Sequence, residues 1–362
     1  MKAGKNLVEL AQELERQAQS KRDFLANTQA LQLDRDGQTL QIEGNGAIQS
    51  ASLTGKGDFR VNKHCHMQIG DRIGIPRRYY QRMQETAPVL LSANVNYWLR
   101  HNPEERMVRT LDGRARAFLS KRYRPLDNHD LANAVLPAIT RAGCEVRSAE
   151  LTDLRMYIQA IAFEVKSEVK VGDIVHAGIV VSNSEVGAGA VKVEPLIYRL
   201  ACKNGMIAPD YSLKKYHVGR SNRGMEFEGA AEFFRDETRE ADDKAFFMKV
   251  QDLVGAALEQ TKFENIVKRL REATEDKIES NDLPKVVEVT QQTLKLTEGE
   301  KNSVLRFLIE GHDLSRYGLA NAVTATANDH EDYDRAIELE RAGGMVIELP
   351  QKDWKAISTA AA

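Results

Sequence analysis

A chain of 362 residues, 42% of them hydrophobic, is long enough for one elaborated domain with a helical extension or for two domains. No run approaches the ~18 to 20 apolar residues of a membrane span, and the start, Met1-Lys2-Ala3-Gly4-Lys5, lacks the apolar segment of a secretory signal, so a cytoplasmic protein without membrane contact is expected. The net charge of -2 gives no overall sign of a nucleic-acid binder, and Cys65, Cys144 and Cys202, far apart and odd in number, read as reduced thiols rather than disulfides or a zinc site.

Leu7 to about Leu31 reads as a helix, with Leu7, Leu10, Ala11, Leu14, Ala18, Phe24 and Leu25 near helical spacing, and it offers a surface for the core or for assembly. Gln38 to Arg60 reads as short strands turning at Gly44, Gly46, Gly55 and Gly57. A helix from Lys63 to Ile73 closes at Gly74, and Pro76 opens another that carries Arg77, Arg78, Tyr79, Tyr80 and Arg82. That pair suggests a helix-turn-helix, but two short helices around a glycine are more commonly an ordinary packing unit, which is the preferred reading. Val89 to Trp98, Arg106 to Leu111 and Arg114 to Leu119 read as strands, the last two joined by an Asp112-Gly113 hairpin turn. Strict alternation puts Arg114, Arg116 and Phe118 on one face and Ala115, Ala117 and Leu119 on the other, an arginine-bearing sheet face.

Asp127 or Asn128 then caps a helix from His129 to about Ala142, and Cys144 to Arg147 leads as a strand into the segment from Tyr157 to Met206. Within it, Tyr157 to Val165, Ala177 to Ser184 and Ala190 to Leu200 alternate with glycine turns at Gly172-Asp173 and Gly187-Ala188-Gly189, and Asn204-Gly205 suits a further turn. The pattern predicts an antiparallel meander. Lys214 to Arg220 is a basic loop, and helices follow over Ala230 to Arg239, Asp243 to Leu258 and Phe263 to Ala273. After a break at Asn281 to Pro284, a second helical unit covers Thr297 to Gly311 and Leu314 to Ala327, and Gly344 to Leu349 is a weak strand. The expected fold is α+β: an antiparallel sheet core crossed by helices, with a mainly helical C-terminal part. Its units are an N-terminal helix over 1–37, a core over 38–224 and the helical region over 225–362.

Charge is segregated along the chain. Arg72 to Arg124 holds twelve Lys or Arg against four acids, Arg199 to Arg223 six against one, and Glu226 to Asp243 eight acids against two arginines. Tyrosines and a tryptophan are interleaved with the bases: Tyr79, Tyr80, Tyr97, Trp98, Tyr123, Tyr198, Tyr211 and Tyr216. A single-stranded nucleic acid needs cations along its phosphates and flat rings for its bases. On this reading Arg114, Arg116, Lys121, Arg122 and Arg124 hold phosphates, Tyr123, Tyr198 and Tyr216 stack bases, and Lys203, Lys214 and Lys215 extend the groove. The competing reading has the tyrosines half-buried and the arginines paired with the acids after Glu226. Ser182, Asn183, Ser184 and Asn204 place polar groups at strand ends, where a phosphate or base could sit or a turn be capped.

Other signals are weaker. His64-Cys65-His66 has metal-ligand residue types, but three adjacent donors on a helix cannot converge. The acidic run from Asn328 to Asp334 lacks the glycine and terminal glutamate of a calcium loop and makes a good helix start. Ser120-Lys121, Cys202-Lys203 and Tyr123 sit in no elbow motif or triad-like order.

Five stretches carry a resemblance: IGDRIGIPRRYY from Ile69, NVNYWLR from Asn94, VRTLDGRARAFLSKRYRPLDN from Val108, GIVVSNSEVGAGAVKVEPLIYRLACKNGM from Gly178 and LSRYGLANAVTATA from Leu314. Over about Cys65 to Asn328 the chain resembles the phage- and plasmid-borne family known as Domain of Unknown Function 932. The resemblance implies a bacterial mobile element and supplies no catalytic residue. The expected function is therefore non-catalytic binding of single-stranded DNA in recombination, annealing or protection, with no cofactor or metal and a possible homo-oligomer. The alternatives are a nuclease or nucleotide-modifying enzyme, or a module whose acidic helices mimic DNA and dock a host protein.

Overall fold

The computed structural model describes residues 1–42, 57–123, 126–201, 203–208 and 236–361. Arg124, Cys202, the basic loop from Lys214 and the expected start of helix at Ala230 lie outside them. The elements form two sheets, each with its own helices.

The first sheet has six strands: β1 (Arg22–Asn27), β2 (Leu31–Leu33), β3 (Thr39–Ile42), β4 (Gly57–Val61), β5 (Glu105–Leu111) and β6 (Arg114–Ser120), in the order β1-β5-β6-β4-β3-β2. Neighbours are antiparallel except β4 and β6, which run parallel, so the sheet is mixed rather than purely antiparallel. The β5–β6 hairpin forms as its sequence predicts, because Asp112 and Gly113 both take positive φ, 51° and 71°, the geometry a two-residue turn between twisted strands demands. Helices α2 (Lys63–Arg72), α3 (Arg77–Thr86) and α4 (Pro88–His101) cover one face. Cys65, Ile69, Tyr80, Met83, Leu91, Val95 and Leu99 bury there against Leu33, Leu40, Val108, Ala115 and Phe118.

Two expectations fail in this lobe. The first helix, α1, covers only Leu7–Ser20, capped by an Asn6–Glu9 capping box. The chain turns extended at Lys21 because Phe24 and Ala26 alternate into the core as part of β1, paired with β5. Val89 to Trp98 is helix rather than strand. Its β-branched and aromatic content favours a strand locally, but Pro88 opens a helix and Leu91, Val95 and Leu99, four apart, deliver one apolar stripe to the sheet. Tertiary burial outweighs the local preference.

The second sheet is the predicted meander: β7 (Glu145–Leu151), β8 (Met156–Glu168), β9 (Ile174–Asn183), β10 (Lys192–Arg199) and β11 (Asn204–Ile207), antiparallel and in sequence order. Asn204 and Gly205 lie in β11 rather than in a turn, and the positive φ falls one residue earlier, 53° at Lys203. One face of the sheet packs on α1, α5 (Asn128–Arg141) and α6 (Asp236–Ala257), which is a single helix where two were expected. The other face packs on the C-terminal helices.

These are α7 (Gln260–Glu275), α8 (Leu283–Leu294), α9 (Glu298–Gly311), α10 (Arg316–Thr326), α11 (Tyr333–Ile347) and α12 (Gln351–Ser358). Pro284 opens a helix instead of only breaking one, since Asp282 accepts from Lys285 N and proline needs no partner in the first turn. Gly344 to Leu349, expected as a strand, lies mostly in α11. Gly343, just before that stretch, serves helix packing: a Cβ there would run into Thr324 and lie 2.9 Å from the Ala320 carbonyl of α10. No helix among the described residues is long and apolar enough to cross a membrane.

Candidate nucleic-acid interface

The face of β5–β6 turned away from α2–α4 meets the end of β9. Six charged side chains converge there. Arg109, wholly buried, donates through Nε to Asp23 at 2.9 and 3.1 Å, through Nη2 to Asp127 at 2.7 Å and through Nη1 to the Glu185 carbonyl at 2.9 Å. Arg116 donates to the Glu185 carboxylate, and Lys21 reaches Asp127 at 2.6 Å and Glu185 at 3.5 Å. Three cations thus face three carboxylates. Burial alone would raise the Asp127 and Glu185 carboxyls, but Arg109 and Lys21 beside the first, and Arg116 and Lys21 beside the second, hold both below their ordinary values.

The expected arginine-bearing face is rearranged by a bulge. Arg109 pairs with Ala117 and Thr110 with Ala115, which leaves Arg116 as the extra residue of β6. Alternation therefore breaks: Ala115 and Phe118 both join the helix-facing core, while Arg116, Ala117 and Leu119 turn toward the second lobe. Arg116 is consumed by Glu185.

The polar strand end is equally occupied. Glu185 Oε1 accepts from the Asn128 backbone N–H at 2.7 Å, so it caps α5 from a distance while Asp127, at the N-cap position, makes no cap bond of its own. Asn183 donates to Leu126 O and Asn128 Oδ1, and Ser184 Oγ accepts from Val186 N and Ala188 N. Ser182 is buried within β9. Gln68 of α2 bridges the two lobes, accepting from Phe118 N at 2.7 Å and donating to Val186 O at 2.8 Å. The bonds of Arg109 and Arg116 to Glu185 and the Gln68 bridge clasp one lobe to the other.

The remaining sequence candidates scatter. Tyr123 is half-buried and donates to the Ser184 carbonyl at 3.2 Å, and Tyr198 is buried edge-on to Phe163. Lys121 pairs with Glu105 at the surface, while Arg114 and Arg122 are exposed. Lys203 is exposed beside Asn204, which lines a cavity at the β11 edge. Arg124, Lys214, Lys215 and Tyr216 lie outside the described residues. His64, Cys65 and His66 diverge: His64 Nε2 meets Val186 O, Cys65 is in the core and His66 Nδ1 meets the Tyr80 hydroxyl. Cys65 and Cys144 are free thiols. The acidic run acts as a helix start, with Asp332 capping α11.

Exposed rings gather instead on α4. Tyr97 is 52% exposed and Trp98 40% exposed. His101, one turn on, stacks on Tyr97 at 3.9 Å between ring centres and 20° between planes, and Trp98 stands edge-on to Tyr97 at 5.2 Å. Beside Trp98 lies a cleft of about 330 Å³ whose walls include Arg72, Asn102 and Glu104. Arg100 is exposed, its guanidinium donating to Gln32 at 3.2 Å, and Tyr79 is exposed on α3 near Arg78 and Arg82. Among the described residues Arg78, Arg82 and Arg100 form no ion pair. Residues 63–101 carry six Lys or Arg against two acids. Reading Val89 to Trp98 as a strand hid this face; the four-residue step from Tyr97 to His101 is the signal for it.

Comparison with curated proteins and with solved structures gives no match. A family model matches residues 117–342, from within β6 to within α11, which takes in Glu185, Asn183 and the whole meander but leaves α2–α4 outside. With well over half its length matched, the chain belongs to the family described as Domain of unknown function (DUF932).

Proposed function

We propose that this protein binds single-stranded nucleic acid through the outer face of α3 and α4, and acts by binding alone in the recombination, annealing or protection of strands carried by a mobile element. The observation that carries the reading is the solvent-facing Tyr97–His101 stack with Trp98 beside it, flanked by Arg78, Arg82 and Arg100, which form no ion pair among the described residues. Soluble proteins seldom leave several large rings in the open without use. Rings of this kind stack on unpaired bases for ~1 to 3 kcal/mol each, and the arginines supply phosphate contacts that a duplex would also accept. The preference for a single strand therefore rests on the rings. The phage- and plasmid-type context that the sequence resembles supports such a role.

The test is fluorescence anisotropy of a labelled oligothymidine across a salt series, against a duplex of equal length. Salt-dependent binding that favours the single strand, and that falls in Tyr97→Ala and Trp98→Ala, is expected. No binding of either form at low salt refutes the reading.

A further inference from the structure

At the far edge of the meander, between β11 and helices α9 and α10, lies a cavity of about 300 Å³ whose walls include Arg199, Asn204, Phe307, Asn321 and Asn328. It continues inward to a smaller void shared by Arg199, Asn204, Asn321 and Tyr317. The polar groups in these walls are held in fixed orientations. Arg199 Nε donates to Asp173 at 2.6 Å, and the buried Tyr317 hydroxyl donates to the other oxygen of the same carboxylate at 2.9 Å. Asn321 lines both spaces, so its carboxamide, which carries a donor and an acceptor, faces the same cavity.

A second chain of bonds sets Asn204. The Met1 nitrogen donates to Asn328 Oδ1, so the Asn328 amide is the donor that meets Asn204 Oδ1 at 2.9 Å. The Asn204 NH2, on a side chain only 3% exposed, donates to no described residue. The cavity thus offers the Asn204 donor, held by its bond from Asn328, and the Asn321 carboxamide beside it. It also has a ring, Phe307, backed by the Arg306 guanidinium at 4.4 Å. At the mouth stand Asp313, already paired with Lys170, and Glu310, an exposed carboxylate with no ion pair among the described residues.

We propose that this cavity binds an uncharged nucleobase or nucleoside, its donor–acceptor edge read by Asn321 and Asn204 and its ring lying against Phe307. Paired donors and acceptors side by side are what every nucleobase edge presents, and asparagine is suited to them. A mostly apolar cavity of this size with a few placed polar groups is a small-molecule site rather than a docking surface. The rim carboxylate sets the class further, because Glu310 repels a phosphate and leaves a neutral ligand unaffected. The site is separate from α3–α4 and stands whether or not that face binds a strand.

The test is isothermal titration of the full chain with each of the four ribonucleosides and with the matching monophosphates, at millimolar concentration. At least one nucleoside is expected to bind, more tightly than its monophosphate. Asn321→Ala should weaken it about tenfold or more, the loss of one such hydrogen bond. Glu310→Gln, a surface change that leaves folding alone, should narrow the gap between nucleoside and monophosphate. No binding by any of the four, binding that Asn321→Ala leaves intact in a variant that melts like the parent, or a monophosphate preferred in the parent chain would each overturn the proposal. Oligothymidine binding that survives in Asn321→Ala shows that the strand reading is independent of this one.

Discussion

Replacing Arg109 with methionine isolates the clasp between the lobes. Methionine keeps much of the side-chain volume and removes the charge. Three acceptors then lose their donor: the carboxylates of Asp23 and Asp127 and the carbonyl of Glu185. Breaking a buried pair from one side costs ~3 to 5 kcal/mol. Two features pull the figure to the low end. Asp23 and Asp127 side chains are 31% and 30% exposed, so water can replace part of what is lost, and Asp127 keeps Lys21 at 2.6 Å. The Glu185 carbonyl has no such relief, and an orphaned buried acceptor costs ~1 to 3 kcal/mol. A loss of about 3 kcal/mol is expected, read as a lowered urea midpoint at unchanged slope. A loss below about 1 kcal/mol, the scale of an exposed ion pair, would refute the view that this network holds the lobes together.

Other outcomes follow from single contacts. Burial pushes the Glu340 carboxyl up to about 7 from 4.5, against the Met1 amine, the Gln159 amide and Arg341, which pull it down. A folded pKa above the unfolded one means this group's contribution is complete below about 4.5 and is lost as pH rises through about 7, on the order of 3 kcal/mol in all. Glu340→Gln should therefore gain on the parent between pH 5 and 8 in thermal melts, and parallel profiles would contradict the assignment. Gly343→Leu should cost ~1 to 3 kcal/mol or more by forcing α11 away from Thr324 and Ala320, visible in the same melts. Arg78→Ala with Arg82→Ala should leave the melting temperature unchanged and flatten the salt dependence of oligothymidine binding by roughly 0.7 in slope per arginine; an unchanged slope removes α3 from the interface. Tyr97→Ala should weaken the same binding by ~1 to 3 kcal/mol with its salt slope intact, since it removes stacking and no charge.

What the sequence disclosed depended on whether a signal was local. The β5–β6 hairpin, the meander and the helix start in the acidic run before α11 are written in neighbouring residues, and they stand where the sequence put them. Val89 to Trp98 and Gly344 to Leu349 misled because what decides them is a partner far along the chain: the first sheet for α4, and α10 for α11. The same holds for the candidate residues. Ser182 to Glu185 stood out as a polar strand end, and that is where the lobes meet, but nothing nearby announces that Arg109 and Arg116 arrive from 69 to 76 residues away. A single extra residue at Arg116 was enough to reverse the alternation that the sequence implies.

The clasp also constrains the order in which the chain can be completed. Lys21, Asp23, Arg109, Arg116 and Asp127 all leave the ribosome before Glu185, which lies at the end of β9. Until that carboxylate is in place, the β5–β6 face holds an arginine at the bulge with no counter-ion, and burying it costs more than leaving it in water. A first lobe made early is thus kept from closing on the wrong surface, and becomes free to dock only when the third strand of the meander has delivered its charge. Long-range pairing of this kind slows assembly. In exchange, a misdocked intermediate is penalised by the arginine it would strand.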